Sequence, residues 1–244
     1  MPHAFSTRLG GISPPPFDSM NLGNPSGCET QDPYDHIWEN YHRLQTAIGC
    51  RERRLCRVHQ VHGAGVIGVE RSGNLDPSTK ADAMVTADAS AMLSVRVADC
   101  VPILLATADG GAVAAVHAGW RGVVGGVVNE AIIALTRLRP DASKKLLAAI
   151  GPCIGEEAFE VGDEVLDEFA GLFGPAAPIR RRSDGKGHVN LREAVRRQLL
   201  NAGLSADQID TTDRCTHRDA AEFFSHRREN GLTGRMAALI ATRK

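Results

Sequence analysis

The sequence predicts one α/β domain built on a mixed sheet and spanning residues 1–244. Three observations predict it. Apolar runs of strand length and amphipathic stripes of helical period share the chain without strict alternation, which favours a mixed over an all-parallel sheet. A 43% hydrophobic fraction over 244 residues supplies one large core, and a chain of that size can bury about 70% of its unfolded surface. No internal repeat is present, and the one low-complexity tract is Pro14-Pro15-Pro16.

The elements follow in order. The first 30 residues are rich in Gly, Ser, Pro and Asn and read as an ordered loop. A helix is expected with Asp32 as N-cap and Pro33 in its first turn, an apolar stripe of Ile37, Tyr41, Leu44 and Ile48, and Gly49 at its close. Strands are expected over Leu55–His62, Gly65–Glu70 and Leu93–Ala98, and over the almost wholly apolar Val101–Thr107. Asp109-Gly110-Gly111 supplies turn chemistry, and Ala112–His117 is again apolar. After Gly119-Trp120-Arg121-Gly122 a helix is expected to bury Val124, Val127, Val128, Ala131, Ile132, Leu135 and Leu138 and to end at Pro140. Two more helices are expected near Val161–Leu172 and Asn190–Ala202, the second stopped by Gly203, and a closing strand over Gly234–Thr242.

Charge and cysteine usage exclude several function classes. The net charge of −1 gives no electrostatic reason to bind nucleic acid or an anionic membrane. The basic run Arg51–Arg57 reads as a solvated face. No signal peptide is visible at the N-terminus, and no apolar stretch reaches the ~20 residues that span a bilayer. Cys28, Cys50, Cys56, Cys100, Cys153 and Cys215 form no C-x-x-C pair, so neither a disulfide framework nor a zinc ribbon is expected. The chain reads as cytoplasmic and reduced.

The hairpin around Asp109-Gly110 carries the chemistry. A two-residue loop pairing Ala108 with Gly111 sets Pro102 against His117 and Cys100 against Gly119. Cys100 and Pro102 then share one face, and Cys100 and His117 are diagonal neighbours with backbones ~7–8 Å apart. At that separation a thiolate and an imidazole can converge on one ion. His59 and His62 are three apart and point to opposite faces, so one of them can join. His62 precedes Gly63, where a strand can end at a site rim, and is the better placed; His59, inside an apolar-flanked run, is the alternative. One thiolate with two imidazoles suits zinc, with copper as competitor, and three protein ligands leave a fourth position open for catalysis. The same residues also fit a buried thiol and a hydrogen-bonded strand-end histidine, so spacing alone leaves a structural role open.

Eleven motifs, in order along essentially the whole chain, resemble those of one family. They are FSTRLGGIS (Phe5–Ser13), MNLG (Met20–Gly23), HQVHG (His59–Gly63), ADAMVT (Ala81–Thr86), ADCVPILL (Ala98–Leu105), VHAGWRG (Val116–Gly122), AIGPCIG (Ala149–Gly155), FEVGDEV (Phe159–Val165), CT (Cys215–Thr216), FFSHRR (Phe223–Arg228) and TGRMAALI (Thr233–Ile240). The family is that of the YfiH-type proteins, described as purine nucleoside phosphorylases and as laccase-like polyphenol oxidases. The resemblance implies that His62, Cys100 and His117 are the metal ligands and catalytic centre. It implies packed mixed sheets flanked by helices, similar to a toxin deamidase domain with a Cys–His pair (the CNF-toxin/YfiH-like cysteine-hydrolase fold). It also implies zinc-dependent phosphorolysis of adenosine, inosine and S-methyl-5'-thioadenosine, with adenosine deamination; nucleosides and phosphate are the expected partners. Arg8 and Arg121 sit in its motifs and are candidates for substrate binding, Arg121 beside a helix start where anions are favoured. Cys153 is a further pocket candidate. His226 stands where family members often carry tyrosine.

Two rival activities stay in view. A Cys–His hydrolase would use Cys100 as nucleophile and His117 as base on an amide or ester, as in cell-wall precursor editing. A copper-dependent polyphenol oxidase is weaker, because the nine histidines are dispersed and no H-x-H pair occurs. The H-x-E…P-C-x-x-C signature of nucleobase deaminases is absent, so any deamination must use another arrangement.

Overall fold

In the computed structural model, which describes residues 1–71, 75–140 and 145–243, the strands in chain order begin with β1 (His3–Phe5), β2 (Arg54–Cys56), β3 (Val66–Gly68) and β4 (Ala83–Thr86). They continue with β5 (Ala91–Val97), β6 (Val101–Thr107), β7 (Val113–Ala118), β8 (Leu146–Ile150) and β9 (Glu160–Gly162), then β10 (Ile179–Arg181), β11 (Lys186–Val189), β12 (Ile209–Thr211) and β13 (Met236–Ile240). The helices are α1 (Tyr34–Ala47), α2 (Trp120–Val124), α3 (Val127–Leu138), α4 (Asp163–Phe173) and α5 (Leu191–Asn201).

The continuous apolar runs decide the centre of the fold. β6 and β7 are buried at every position, which requires cover on both faces. They lie inside a six-stranded sheet of order β12-β8-β6-β7-β4-β3. Along β6, Val101, Ile103 and Leu105 face a core shared with Val128, Leu135, Leu166 and Leu199 of the helices. Leu104 and Ala106 face a second core shared with Leu93, Val95 and Ala238 of a four-stranded sheet, order β1-β13-β5-β2. On the far side of that sheet, Ile37 and Tyr41 of α1 pack on Met92 and Leu239. The layers are therefore helix, sheet, sheet, helices, with a small antiparallel sheet β10-β11-β9 beside α4. Parallel and antiparallel pairings coexist in both large sheets. This is the single-domain α/β fold with mixed sheets that the sequence predicts.

The register of the key hairpin is the expected one: Pro102 pairs with His117. Its loop is longer than expected, since Thr107 and Ala112 already exchange a ladder bond and residues 108–111 form the turn. Two-residue and four-residue loops share the same parity, so the pairing is unchanged. Elsewhere the boundaries move for identifiable reasons. The helix expected after Gly119 is two helices, because Gly126 adopts φ 81° and starts α3 anew. Pro33, not Asp32, occupies the N-cap of α1; the Asp32 carboxylate instead accepts from Ser13 (2.6 Å) and Asn21 (2.9 Å) in a buried network. The strand expected over Leu55–His62 stops at Cys56, leaving His59 in a lone bridge to Lys80. Gly65–Glu70 contracts to β3, and the segment at Val161 divides into β9 and α4. Asn190 caps α5 by accepting from the Glu193 amide at 3.0 Å.

Candidate metal centre

The pleat that builds the hairpin also aims the site. Val113 and Ala115 of β7 face the inner core between the two sheets, and His117 follows them on the same face. Cys100 lies one residue before β6 on the face of Leu104 and Ala106, so both side chains reach the same end of the sandwich. The preceding residue, Asp99, turns the chain with φ 91°. Its carboxylate fixes that turn by accepting from Thr216 Oγ1 (2.6 Å) and the Arg227 amide (2.7 Å). Across the hairpin from Cys100 stands Gly119. A Cβ there would come within 2.9 Å of His62 Cδ2 and 3.2 Å of Cys100 Sγ, so only glycine leaves room for both side chains.

His62 belongs to no strand and holds φ 60°, a left-handed conformation unusual for a residue with a side chain. The buried carboxylate of Asp82 stabilises it. Its Oδ1 accepts from the His62 amide (2.9 Å) and lies 2.8 Å from His117 Nδ1, while its Oδ2 accepts from the Gly63 amide (2.6 Å). The Asp82 carbonyl also accepts from the His117 amide at 2.7 Å. Nδ1–H of His117 therefore points at a carboxylate and Nε2 is left for a ligand, the arrangement usual for metal-binding histidines. The His62 and His117 rings stand edge to face with centroids 4.8 Å apart. One ligand atom from each of His62, Cys100 and His117 lies within 4.8 Å of the others, and among the described residues no other such group forms. One thiolate and two imidazoles, one of them braced by a carboxylate, are a donor set suited to zinc.

Charge in this cluster is strongly coupled. Burial would raise the Cys100 thiol, but the charge of His117 and hydrogen bonds from His117 and His62 outweigh it and lower it to about 6. Burial would lower His117, but the Cys100 thiolate and Asp82 raise it to about 9. Burial likewise opposes ionisation of Asp82, whose bonds from His117 and the His62 and Gly63 amides nevertheless hold it below the usual carboxylate value. The depressed thiol stabilises the fold fully above its ordinary 9 and loses that effect as pH falls from there through about 6. The elevated imidazole stabilises below its ordinary 6.5 and loses that effect as pH rises through about 9. Metal-free protein is thus expected to hold a thiolate–imidazolium pair between these limits. Iodoacetamide labelling of Cys100, followed by peptide mass mapping after chelation, should be half-maximal near pH 6; a midpoint near the ordinary thiol value of 9 would contradict the pairing.

The cluster opens into a cavity of about 430 Å³. His62, Cys100, His117 and Arg121 line it, together with His59, Arg96, His226 and Arg235. His59, the alternative third ligand, reaches the cavity but not the cluster. Arg121 is exposed at the rim, its guanidinium 4.3 Å over the Trp120 ring. Arg8 and Cys153 do not line the cavity. Arg8 donates to the Asp18 carbonyl (2.8 Å), pairs with the Asp18 carboxylate (3.3 Å) and stacks on Phe224. Cys153 is fully buried as a free thiol, its backbone paired in a single β-bridge with that of Cys215, and burial pushes the thiol up to about 11. His226 does reach the cavity, and burial lowers its pKa. Sequence reasoning missed Asp82, whose only signal was its place in the ADAMVT motif, and Arg96, which lies in none of the motifs. No described helix is long and apolar enough to cross a membrane.

The chain is similar over almost its whole length to known proteins. A family model described as multi-copper polyphenol oxidoreductase laccase matches residues 2–243. The purine nucleoside phosphorylase YfiH of Shigella flexneri is 39% identical over 235 residues, covering 96% of this chain and 91% of its own. The purine nucleoside phosphorylase YlmD of Geobacillus stearothermophilus is 36% identical over 249 residues, covering 98% and 89%. The crystal structure of that YlmD superposes with a TM-score of 0.89 at 34% identity, over 99% of this chain and 92% of the other.

Proposed function

The chain belongs to the multi-copper polyphenol oxidoreductase laccase family, and from that premise we propose that it is a zinc-dependent purine nucleoside phosphorylase. We assign it adenosine, inosine and S-methyl-5'-thioadenosine as substrates, with adenosine deamination as an accompanying activity, and the cytoplasm as the compartment in which its six free cysteines stay reduced. The names of the YfiH and YlmD relatives support the phosphorylase reading. The observation that carries it is the convergence of His62, Cys100 and His117 on the wall of a nucleoside-sized cavity.

In this reading Cys100 as thiolate and His62 and His117 as neutral imidazoles hold the ion. When bound, zinc supplies Lewis acidity at neutral pH. Asp82 keeps the Nδ1 proton on His117 and fixes the ring, while its bonds to the His62 and Gly63 amides fix the opposing ligand. Trp120, Phe159 and Leu191 provide apolar wall against which a purine can exclude water, and Arg121 adds positive charge at the mouth. A Cys–His hydrolase is the second reading, favoured by the lowered Cys100 thiol beside His117. An oxidase needing several coppers gains nothing from the one three-residue cluster found among the described residues.

Product analysis separates these readings. Inosine should yield hypoxanthine and ribose 1-phosphate at a rate that rises with phosphate, falls to background on chelation and returns with zinc. Free ribose formed at a rate indifferent to phosphate and chelator would sink the phosphorylase reading. A hydrolase would instead survive chelation and stop with iodoacetamide.

A further inference from the structure

Two arginines of the cavity lining, Arg96 and Arg235, form no ion pair with a carboxylate among the described residues. Arg96 on β5 is opposite Ala237 of β13, and Arg235 precedes Ala237 by two residues. The antiparallel pleat makes Arg96 and Arg235 diagonal neighbours on one face, with backbones ~7–8 Å apart. Both are partly buried, and both line the cavity. Arg96 donates to the Val58 carbonyl at 3.2 Å, and Arg235 to the carbonyls of Thr233 (2.8 Å) and Gly234 (3.0 Å). Among the described residues no carboxylate lies within ion-pair distance of either, whereas Arg180, Arg181 and Arg182 on the surface each pair with an acid. The cavity's one carboxylate, Asp99, is already committed to Thr216 and the Arg227 amide.

The N-terminal loop is shaped around this pair. A Cβ on Gly23 would come within 2.8 Å of Arg96 Cδ, so any larger residue there would push the Arg96 side chain from its present position. Asn21 Oδ1 accepts from the amides of both Gly23 (3.1 Å) and Arg235 (2.9 Å), tying the loop to the start of β13. Burial, and for Arg235 the nearby Arg96 charge, lower the pKa of each guanidinium. Like charges held together in a partly dry site are unfavourable unless an anion joins them. Two guanidinium forks side by side match the oxygens of a phosphate group.

We propose that Arg96 and Arg235, held by the Asn21–Gly23 loop, form a seat for a phosphate group in the wall of the cavity that the metal ligands also line. The seat rests on the phosphorylase reading only for its role, which is then to bind the attacking phosphate. Free phosphate and the 5'-phosphate of a nucleotide share the chemistry it recognises.

Calorimetric titration of the full, zinc-loaded chain tests it without turnover, using inorganic phosphate alone and then adenosine 5'-monophosphate. Phosphate is expected to bind, and Arg96→Gln and Arg235→Gln are each expected to weaken it about ten- to a hundred-fold, the worth of a lost charge-assisted hydrogen bond. Gly23→Ala, which keeps both charges but displaces Arg96, is expected to weaken it as well and serves if a glutamine variant does not fold. Nucleotide binding lost with the same substitutions while free phosphate binds poorly would assign the seat to a nucleotide's own phosphate. Absence of any phosphate binding to the unsubstituted protein, or equal affinity in folded Arg96→Gln and Arg235→Gln variants, would overturn the seat. A seat that binds phosphate in a protein making no ribose 1-phosphate would overturn the phosphorylase reading alone.

Discussion

Cys100→Ala is expected to release the metal, from about one zinc per chain to less than about a tenth, while the fold survives. The thiolate is the one anionic ligand of the trio, and without it two neutral imidazoles remain, one exposed. Cys100 precedes β6 and touches only the rim of a small apolar cluster of Val97, Phe223, Phe224 and Met236, so its removal opens no central cavity. Lewis acidity contributes several kcal/mol to a transition state, and ~4 kcal/mol corresponds to about a thousand-fold in rate. Nucleoside turnover should therefore fall by about that factor or more. Loss of the thiolate should also bring the His117 imidazole down from about 9. Elemental analysis and circular dichroism on the same sample read both halves of the expectation. Full zinc retention in a folded variant would remove Cys100 from the ligand set.

Asp82→Asn is expected to damage both the fold and the metal centre, although Asp82 is not itself a ligand. Its two oxygens receive the amides of His62 and Gly63 and the His117 ring, and an asparagine must turn an NH₂ group towards one of those donors. Breaking a buried charge-assisted network costs about 3 kcal/mol or more. For a chain of this size that lowers the melting temperature by about 6–12 °C. Metal affinity should fall about ten- to a hundred-fold, as is usual when the group orienting a ligating histidine is removed. A competitive zinc-chelator titration together with a melting curve measures both. Unchanged affinity would show that His117 is held by its strand alone.

The hairpin that carries two of the three ligands was legible because its signals are local: six apolar residues over Val101–Ala106, an Asp-Gly turn and five more over Ala112–Val116. Even an error in loop length left Pro102 opposite His117, since parity was all the argument required. His62 was legible only as the better of two, because what distinguishes it from His59 is a left-handed backbone stabilised by a carboxylate twenty positions away. Asp82 could not be picked out from other loop aspartates, since its partners come from two distant segments. The arginines failed for a related reason. Charge and motif membership favoured Arg8, but whether a guanidinium is neutralised depends on acids brought near by the fold, and Asp18 takes that role beside Arg8. Strands of three residues, such as β1 and β12, are too short to show a period. The break between α2 and α3 was hidden because apolar residues continue in helical register across Gly125-Gly126.

The strand order of the four-stranded sheet bears on how the protein matures during synthesis. β13 follows every other element in the chain yet lies between β1 and β5, and Arg235 immediately precedes it. As the chain leaves the ribosome, β1 and β5 emerge with the position between them empty, each presenting unpaired amides and carbonyls. Open edges of that kind invite pairing with the wrong partner. The sheet can close only after Met236–Ile240 have cleared the exit tunnel, and the second arginine of the cavity arrives with them. A chain that stalls short of Met236 keeps both of those edges open and lacks Arg235 in place on the cavity wall.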